Sequence, residues 1–292
     1  MALNLQTFKT RTLTAIVFAI VMLCGLLINH WTFFLLFTII HFGCWYEFQK
    51  IAGKINPVYN NISLVHKYGI MLCGWGFMLW MTNDAYTIGS IKLHDVGWYI
   101  MLILIIVIPV VEIVFNKKYN AKALLISIGG LLYISFSCGC MIDLRSEGML
   151  FNSFFGLDLG LVLPVLIIAS MWINDTMAYI VGSLIGKTPL SSISPKKTWE
   201  GTIGGALLAV AVISLCGYFL FNADITQLII LSAIACVAGV YGDLLESKLK
   251  RMANIKDSGN IMPGHGGFLD RFDSLLIATI CVWLFKSLMY AF

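Results

Sequence analysis

Charge is what this chain has least of. Only 12% of its 292 residues are Asp, Glu, Lys or Arg, against 59% hydrophobic, and the mean hydropathy is +0.89. That balance excludes a soluble domain of this size. Cysteine pairs at CxxC spacing are also missing. The eight cysteines (24, 44, 73, 138, 140, 216, 236, 281) fall inside apolar runs. Cys138-x-Cys140 alone is a poor metal site, so they read as small packing residues. The five histidines are too scattered for a zinc cluster. The first apolar run has no small-residue cleavage site before the second begins, so we expect it to be retained as a span.

What is present is a series of long apolar runs. At about twenty apolar residues per crossing, nine candidate spans lie near 12–28, 31–48, 68–82, 97–115, 121–142, 159–186, 201–221, 226–245 and 273–291. The expected fold is therefore all-α, a polytopic membrane bundle of about nine helices. With a cytosolic N-terminus, sixteen of the nineteen Lys and Arg residues fall on the inside. Lys92 and Arg145 fall outside, and Lys286 lies within the last span. This positive-inside bias places the C-terminus outside. The net charge of +4 then reports topology and contact with anionic lipid heads, and is no argument for nucleic acid.

The chain changes character near 143–157. Residues 1–150 read as a transmembrane scaffold, with a solvated connector at 49–67. Residues 151–292 read as a catalytic region with long cytosolic loops at 187–200 and 246–272. Asp175 lies roughly 25 Å along its span at 1.5 Å per residue, in the cytosolic half. Asp243 and Glu246 stand at the cytosolic end of another span, so one polar cavity open to the cytosol is permitted.

Three segments carry chemistry. The first, MWINDTMAYIVG, places a carboxylate, Asp175, within a span at a cost of about 2.5–3.5 kcal/mol. It serves a metal, a water network or an ion path, or it hydrogen-bonds a neighbouring helix with Asn174 and Thr176. The second, SPKKTWEG, offers Ser194 as a helix cap with Pro195 in the first turn. Free backbone N–H groups there, beside Lys196, Lys197 and Thr198, would form an anion site. Read blandly, the two lysines are topology determinants.

The third segment, residues 247–273, is the most specific: SKLKRMANIKDSGNIMPGHGGFLDRFD. It packs Lys248, Lys250, Arg251, Lys256 and Arg271 with Asp257, Asp270 and Asp273 around Gly264, Gly266 and Gly267. Glycine backbone can approach phosphate oxygens with no Cβ in the way. If helix continues past Asp243, then Asp243, Glu246 and Lys250 lie on adjoining turns. Asp270 and Asp273, at i and i+3, can project together. Carboxylates beside phosphates suit Mg²⁺. His265 braces the loop or takes part in catalysis, and Lys286 snorkels or pairs.

This segment resembles the signature of the phosphatidate cytidylyltransferases, the CDP-diacylglycerol synthases. The matching residues are Ser247, Lys250-Arg251, Lys256-Asp257, His265-Gly266-Gly267 and Asp270-Arg271-Phe272-Asp273, with Met262 where that family usually has Leu, Ile or Phe. SPKKTWEG and NDTMAY are similar as well, so the likeness covers about 170–273. The resemblance implies transfer of a cytidylyl group from CTP to phosphatidate at a Mg²⁺-dependent site that can also hold K⁺. By the same resemblance Asp243 and Asp270 are the first choices as metal ligands and Asp175 and Asp273 weaker ones. Lys197 joins Asp243 and Asp270 as a catalytic candidate. Ser194, Lys196, Lys197, Thr198, Lys248, Lys250, Arg251, Lys256, Gly264, His265, Gly266, Gly267 and Arg271 are candidates for binding substrate. The likeness further implies a homodimer in a bacterial inner membrane with its site facing the cytosol. Two other classes fit part of the sequence: a CTP-dependent lipid kinase similar to the dolichol kinases, and a transporter.

Overall fold

A computed structural model describes residues 5–114, 120–150, 159–261 and 266–291. The described residues are almost entirely helical, as the apolar runs require: in hydrocarbon, a helix satisfies its own backbone hydrogen bonds. Among the described residues, six helices are long and apolar enough to cross a membrane: Leu93–Val114, Ala121–Glu147, Gly160–Ile185, Trp199–Phe221, Ile225–Met252 and Leu269–Met289. Thr12–Leu27 is a shorter apolar helix. The protein is thus an all-α polytopic membrane protein. The chain folds as two compact units, Met1–Ile142 with Leu249–Phe272, and Asp143–Lys248 with Asp273–Phe292.

In the first unit α1 (Leu5–Leu27) and α2 (His30–Ile55) pair through a tight corner. Asn29 caps α2 in a reciprocal box: its side chain accepts from Thr32 N–H, and Thr32 Oγ1 accepts from Asn29 N–H. A 3₁₀ turn, Pro57–Asn61, leads to α3 (Leu64–Trp80), capped by Ser63. A two-residue hairpin, β1 (Thr87–Ile88) with β2 (Ile91–Lys92), precedes α4 (Leu93–Val114). Helices α3 and α4 touch backbone to backbone, since a Cβ on Gly97 would lie 2.4 Å from the Gly76 carbonyl oxygen. Small residues permit this approach in membrane helices, where apolar surface alone gives no drive to associate.

Helix α5 (Ala121–Gly130) passes through one π turn, Leu131–Ser135, into α6 (Phe136–Leu150). That turn brings Ser135 Oγ to two buried rings: it accepts from Trp45 Nε1 at 2.8 Å and shares a hydrogen bond with His41 Nε2 at 3.0 Å. A second buried set joins Ser127 Oγ to His66 Nε2 at 2.8 Å and to Tyr59 Oη at 3.2 Å. The first half of the chain is therefore less uniformly apolar inside than its composition suggests.

In the second unit α7 (Leu159–Ile185) packs closely along α8 (Trp199–Phe221). Helix α8 ends on Asn222 in the left-handed conformation, and Asp224 accepts from Thr226 N–H at the start of α9 (Ile225–Met252). Helix α10 (Leu269–Ala291) completes the chain. Lys286 pairs with Glu147, one of the two roles expected for it, and Trp283 Nε1 donates to Asp143 at 2.7 Å.

Candidate active site

Within the second unit, the loop between α7 and α8 differs from its expected form. The sequence suggests Ser194 as a cap with Pro195 opening a helix; instead, Thr198 caps α8, accepting from Gly201 N–H at 3.2 Å. Ser194 and Pro195 belong to a turn closed by Lys197 N–H to the Ser194 carbonyl at 3.1 Å. Proline at the second position of such a turn has its φ already set, and the turn needs no N–H from it. A short ladder then runs back along the loop, from Leu190 N–H to the Lys197 carbonyl and from Trp199 N–H to the Thr188 carbonyl.

Glu200 fastens this loop to the helix. Its carboxylate accepts from Lys187 N–H, from Thr188 N–H and, at 2.8 Å, from Thr188 Oγ1. The result aims Lys197 at α9, where its ammonium lies 2.5 Å from Asp243 Oδ2. Lys196 is exposed beside it. Asn174 is buried, with its side-chain oxygen lacking a hydrogen-bond partner, while Asp175 is exposed on the next position of α7. Asp273 is buried, and its Oδ1 accepts from Ser274 N–H at 2.6 Å.

Helix α9 is unbroken through Met252, so Asp243, Glu246 and Lys250 do stand on adjoining turns. It ends in a Schellman arrangement: Ile255 N–H reaches the Lys250 carbonyl, Asn254 N–H reaches the Arg251 carbonyl, and Asn254 is left-handed at φ 54°.

The chain then turns back within the first unit and closes on Asp270. Asp270 Oδ1 accepts from Lys250 Nζ at 2.6 Å. Oδ2 accepts from Ser258 N–H at 2.8 Å, Ser258 Oγ at 2.9 Å and Gly267 N–H at 2.8 Å. Gly266 sits at φ 88°, and a Cβ there would lie 2.6 Å from Asp270 Oδ2. A Cβ on Gly267 would lie 2.3 Å from the carboxylate of Glu47 on α2. The bare backbone expected to approach phosphate is thus already approached by two of the protein's own carboxylates. Lys248, Arg251, Lys256 and Arg271 are exposed around this turn, and Gly264 and His265 lie outside the described residues.

Sequence reasoning missed Glu47, Ser258 and Glu200. The first stands in a stretch read as scaffold, and its only signal is a carboxylate inside an apolar run. Lys50 and Lys54, read as topology residues, line a cavity of about 300 Å³ with Asn60, Asp257 and Ser258.

Among the described residues no three His, Cys, Asp or Glu side chains gather into a metal cage. Mg²⁺ does not require one, since it takes one or two carboxylates and completes its shell with water and substrate phosphates. Asp243 and Asp270 each already hold a cation, the ammonium of a lysine, against a carboxylate oxygen. Their donor chemistry fits a small hard ion.

The cytidylyltransferase family model matches residues 9–289. The phosphatidate cytidylyltransferase of Haemophilus influenzae is 31% identical over 289 residues, covering 93% of this chain and 96% of that protein. That of Helicobacter pylori is 32% identical over 243 residues, or 80% of this chain and 91% of its own. Phosphatidate cytidylyltransferase 4, chloroplastic, of Arabidopsis thaliana is 41% identical over 127 residues, 43% of this chain, which spans 32% of that protein's length. Both lysine–aspartate pairs fall inside the matched region, and the chain belongs to the cytidylyltransferase family.

Proposed function

We propose that this protein transfers the cytidylyl group of CTP to phosphatidate, giving CDP-diacylglycerol and pyrophosphate. The observation that carries this reading is the pair of lysine–aspartate contacts, Lys197 with Asp243 and Lys250 with Asp270, in a membrane protein of this family. Each lysine is held next to a carboxylate and can turn its ammonium to a phosphate oxygen when one arrives.

A phosphate monoester has a second pKa of about 6, so the phosphatidate head is largely dianionic at neutral pH and attacks without a general base. Its oxygen forms a bond to the α-phosphorus of CTP, the bond from that phosphorus to the bridging oxygen breaks, and pyrophosphate leaves with the electron pair. The barrier is the approach of one anion to another. Lys196, Lys197, Lys250 and Arg251 lower it by binding phosphate oxygens, and the Thr198 cap and Glu200 clamp hold the first two in place. Mg²⁺, when bound, neutralises triphosphate charge and the charge developing on the leaving group. Asp243 and Asp270 are each proposed as a ligand for such an ion, with Asp175 and Asp273 as weaker candidates and K⁺ as a second ion.

The same reading takes nine spans, a cytosolic N-terminus, a site open to cytosolic CTP, residence in a bacterial inner membrane and a homodimer. Residues 1–150 then serve as scaffold and 151–292 carry the reacting groups. The test is incubation of the purified protein with labelled CTP and phosphatidate. CDP-diacylglycerol with pyrophosphate supports the reading. CDP with a phosphorylated lipid would indicate a lipid kinase, and absence of chemistry a transporter.

A further inference from the structure

Glu47 is the one acidic residue of α2, and it is almost fully buried, at 1% exposure. A carboxylate placed inside an apolar helix needs compensation for its lost water. It finds that compensation in residues more than two hundred positions away. Oε1 accepts from Phe268 N–H at 2.9 Å. Oε2 accepts from Leu269 N–H at 2.9 Å and from Ser258 Oγ at 2.6 Å. The two N–H groups stand at the start of α10, Phe268 just before it and Leu269 its first residue, where a helix has donors without intrahelical partners. The anion site that a glycine-rich helix start offers is filled here from within the protein.

Ser258 ties this contact to Asp270. Its hydroxyl has one proton and stands between two acceptors, Glu47 Oε2 at 2.6 Å and Asp270 Oδ2 at 2.9 Å. Asp270 N–H in turn donates to Ser258 Oγ at 3.2 Å. Gly259 and Gly267 both pass so near Glu47 that a Cβ on either would fall within 2.3 Å of its carboxylate. Five residues of the turn, Ser258, Gly259, Gly267, Phe268 and Leu269, are therefore referenced to one side chain on α2, and Asp270 sits among them.

We propose that Glu47 is a positioning residue for the transfer reaction, fixing the α10 start and, through Ser258, the place of the Asp270 carboxylate. The inference rests on the function proposed above for Asp270. Without Glu47 the Phe268 and Leu269 N–H groups lose their acceptor and the Ser258 hydroxyl keeps only Asp270, so the Asp270–Lys250 pair loses its fixed setting while keeping its chemistry.

The experiment uses the full-length protein in detergent, without added metal for hydrogen exchange and with Mg²⁺ for turnover, and compares wild type with Glu47→Gln, which keeps the volume and removes the charge. Amide hydrogen exchange is read at Ser258, Gly267, Phe268 and Leu269, and kcat and KM are measured separately with CTP and phosphatidate. We expect exchange at these amides to rise about tenfold or more while other helices are unchanged. We also expect kcat to fall by about 10²-fold, with KM for CTP moving far less. A folded variant with wild-type exchange at the turn, or with faster exchange and wild-type kcat, overturns the inference. Should Glu47→Gln not fold, Ser258→Ala decides in its place: faster exchange at Asp270 with lower kcat supports the proposal, and no change in either overturns it. Wild-type protein that makes no CDP-lipid would instead refute the proposed reaction, so the two failures are told apart.

Discussion

The Lys197 ammonium stands 2.5 Å from the Asp243 carboxylate, joining the loop before α8 to the end of α9 that leads into the signature segment. Both side chains are partly exposed, at 36% and 20%, while the contacting Asp243 oxygen is itself buried. The pair's value lies in placement. Lys197→Ala should leave insertion and folding intact and lower kcat/KM by about 10²-fold or more, the scale of losing a charge-stabilising donor. Product formation across a range of CTP and phosphatidate concentrations measures this. Wild-type kinetics would return the lysine to a topological role.

Asp243→Asn and Asp270→Asn preserve shape and remove the negative charge. Turnover should collapse in both, with the Mg²⁺ dependence shifted to higher concentration if occupancy is the defect. The two should differ structurally. Asp270 also accepts from Ser258 and Gly267, so its amide replacement loosens the turn, whereas Asp243→Asn releases only Lys197 among the contacts described for it. Near-wild-type rates with an unchanged Mg²⁺ curve in both variants would remove these residues from the metal site.

Gly266→Ala tests the turn from the other side. The φ of 88° costs a side-chain-bearing residue about 1–3 kcal/mol, and the new methyl would press on Asp270 Oδ2 at 2.6 Å. Activity should drop with a lowered unfolding temperature. Ala at this position with normal stability and turnover would show that the turn relaxes without consequence.

Topology is tested by reporters. One fused after Phe292 should be active only if it works outside the cytosol, and one inserted within 253–257 should behave as cytosolic. If both report the same side, the nine-span arrangement is wrong.

The sequence alone determined that this is a polytopic helical membrane protein, because only long apolar helices satisfy their own backbone in lipid. It also set 247–273 apart, because charge clusters there beside glycines in a chain where charge is otherwise rare. The family was legible for the same reason. What it could not determine was partnership. Pro195 reads equally as a helix opener or a turn residue, and the ladder between 188–190 and 197–199 decided for the turn. Glu47 lies some two hundred residues from Ser258 and the start of α10, and no local pattern links them. A buried carboxylate announces only that it needs donors; which donors reach it is settled by the packing of α2 against the returning chain. The glycines were read as open to phosphate because sequence shows a missing Cβ but not what fills the gap. In the folded protein the space at Gly266 and Gly267 is occupied by Asp270 and Glu47, brought there by tertiary structure.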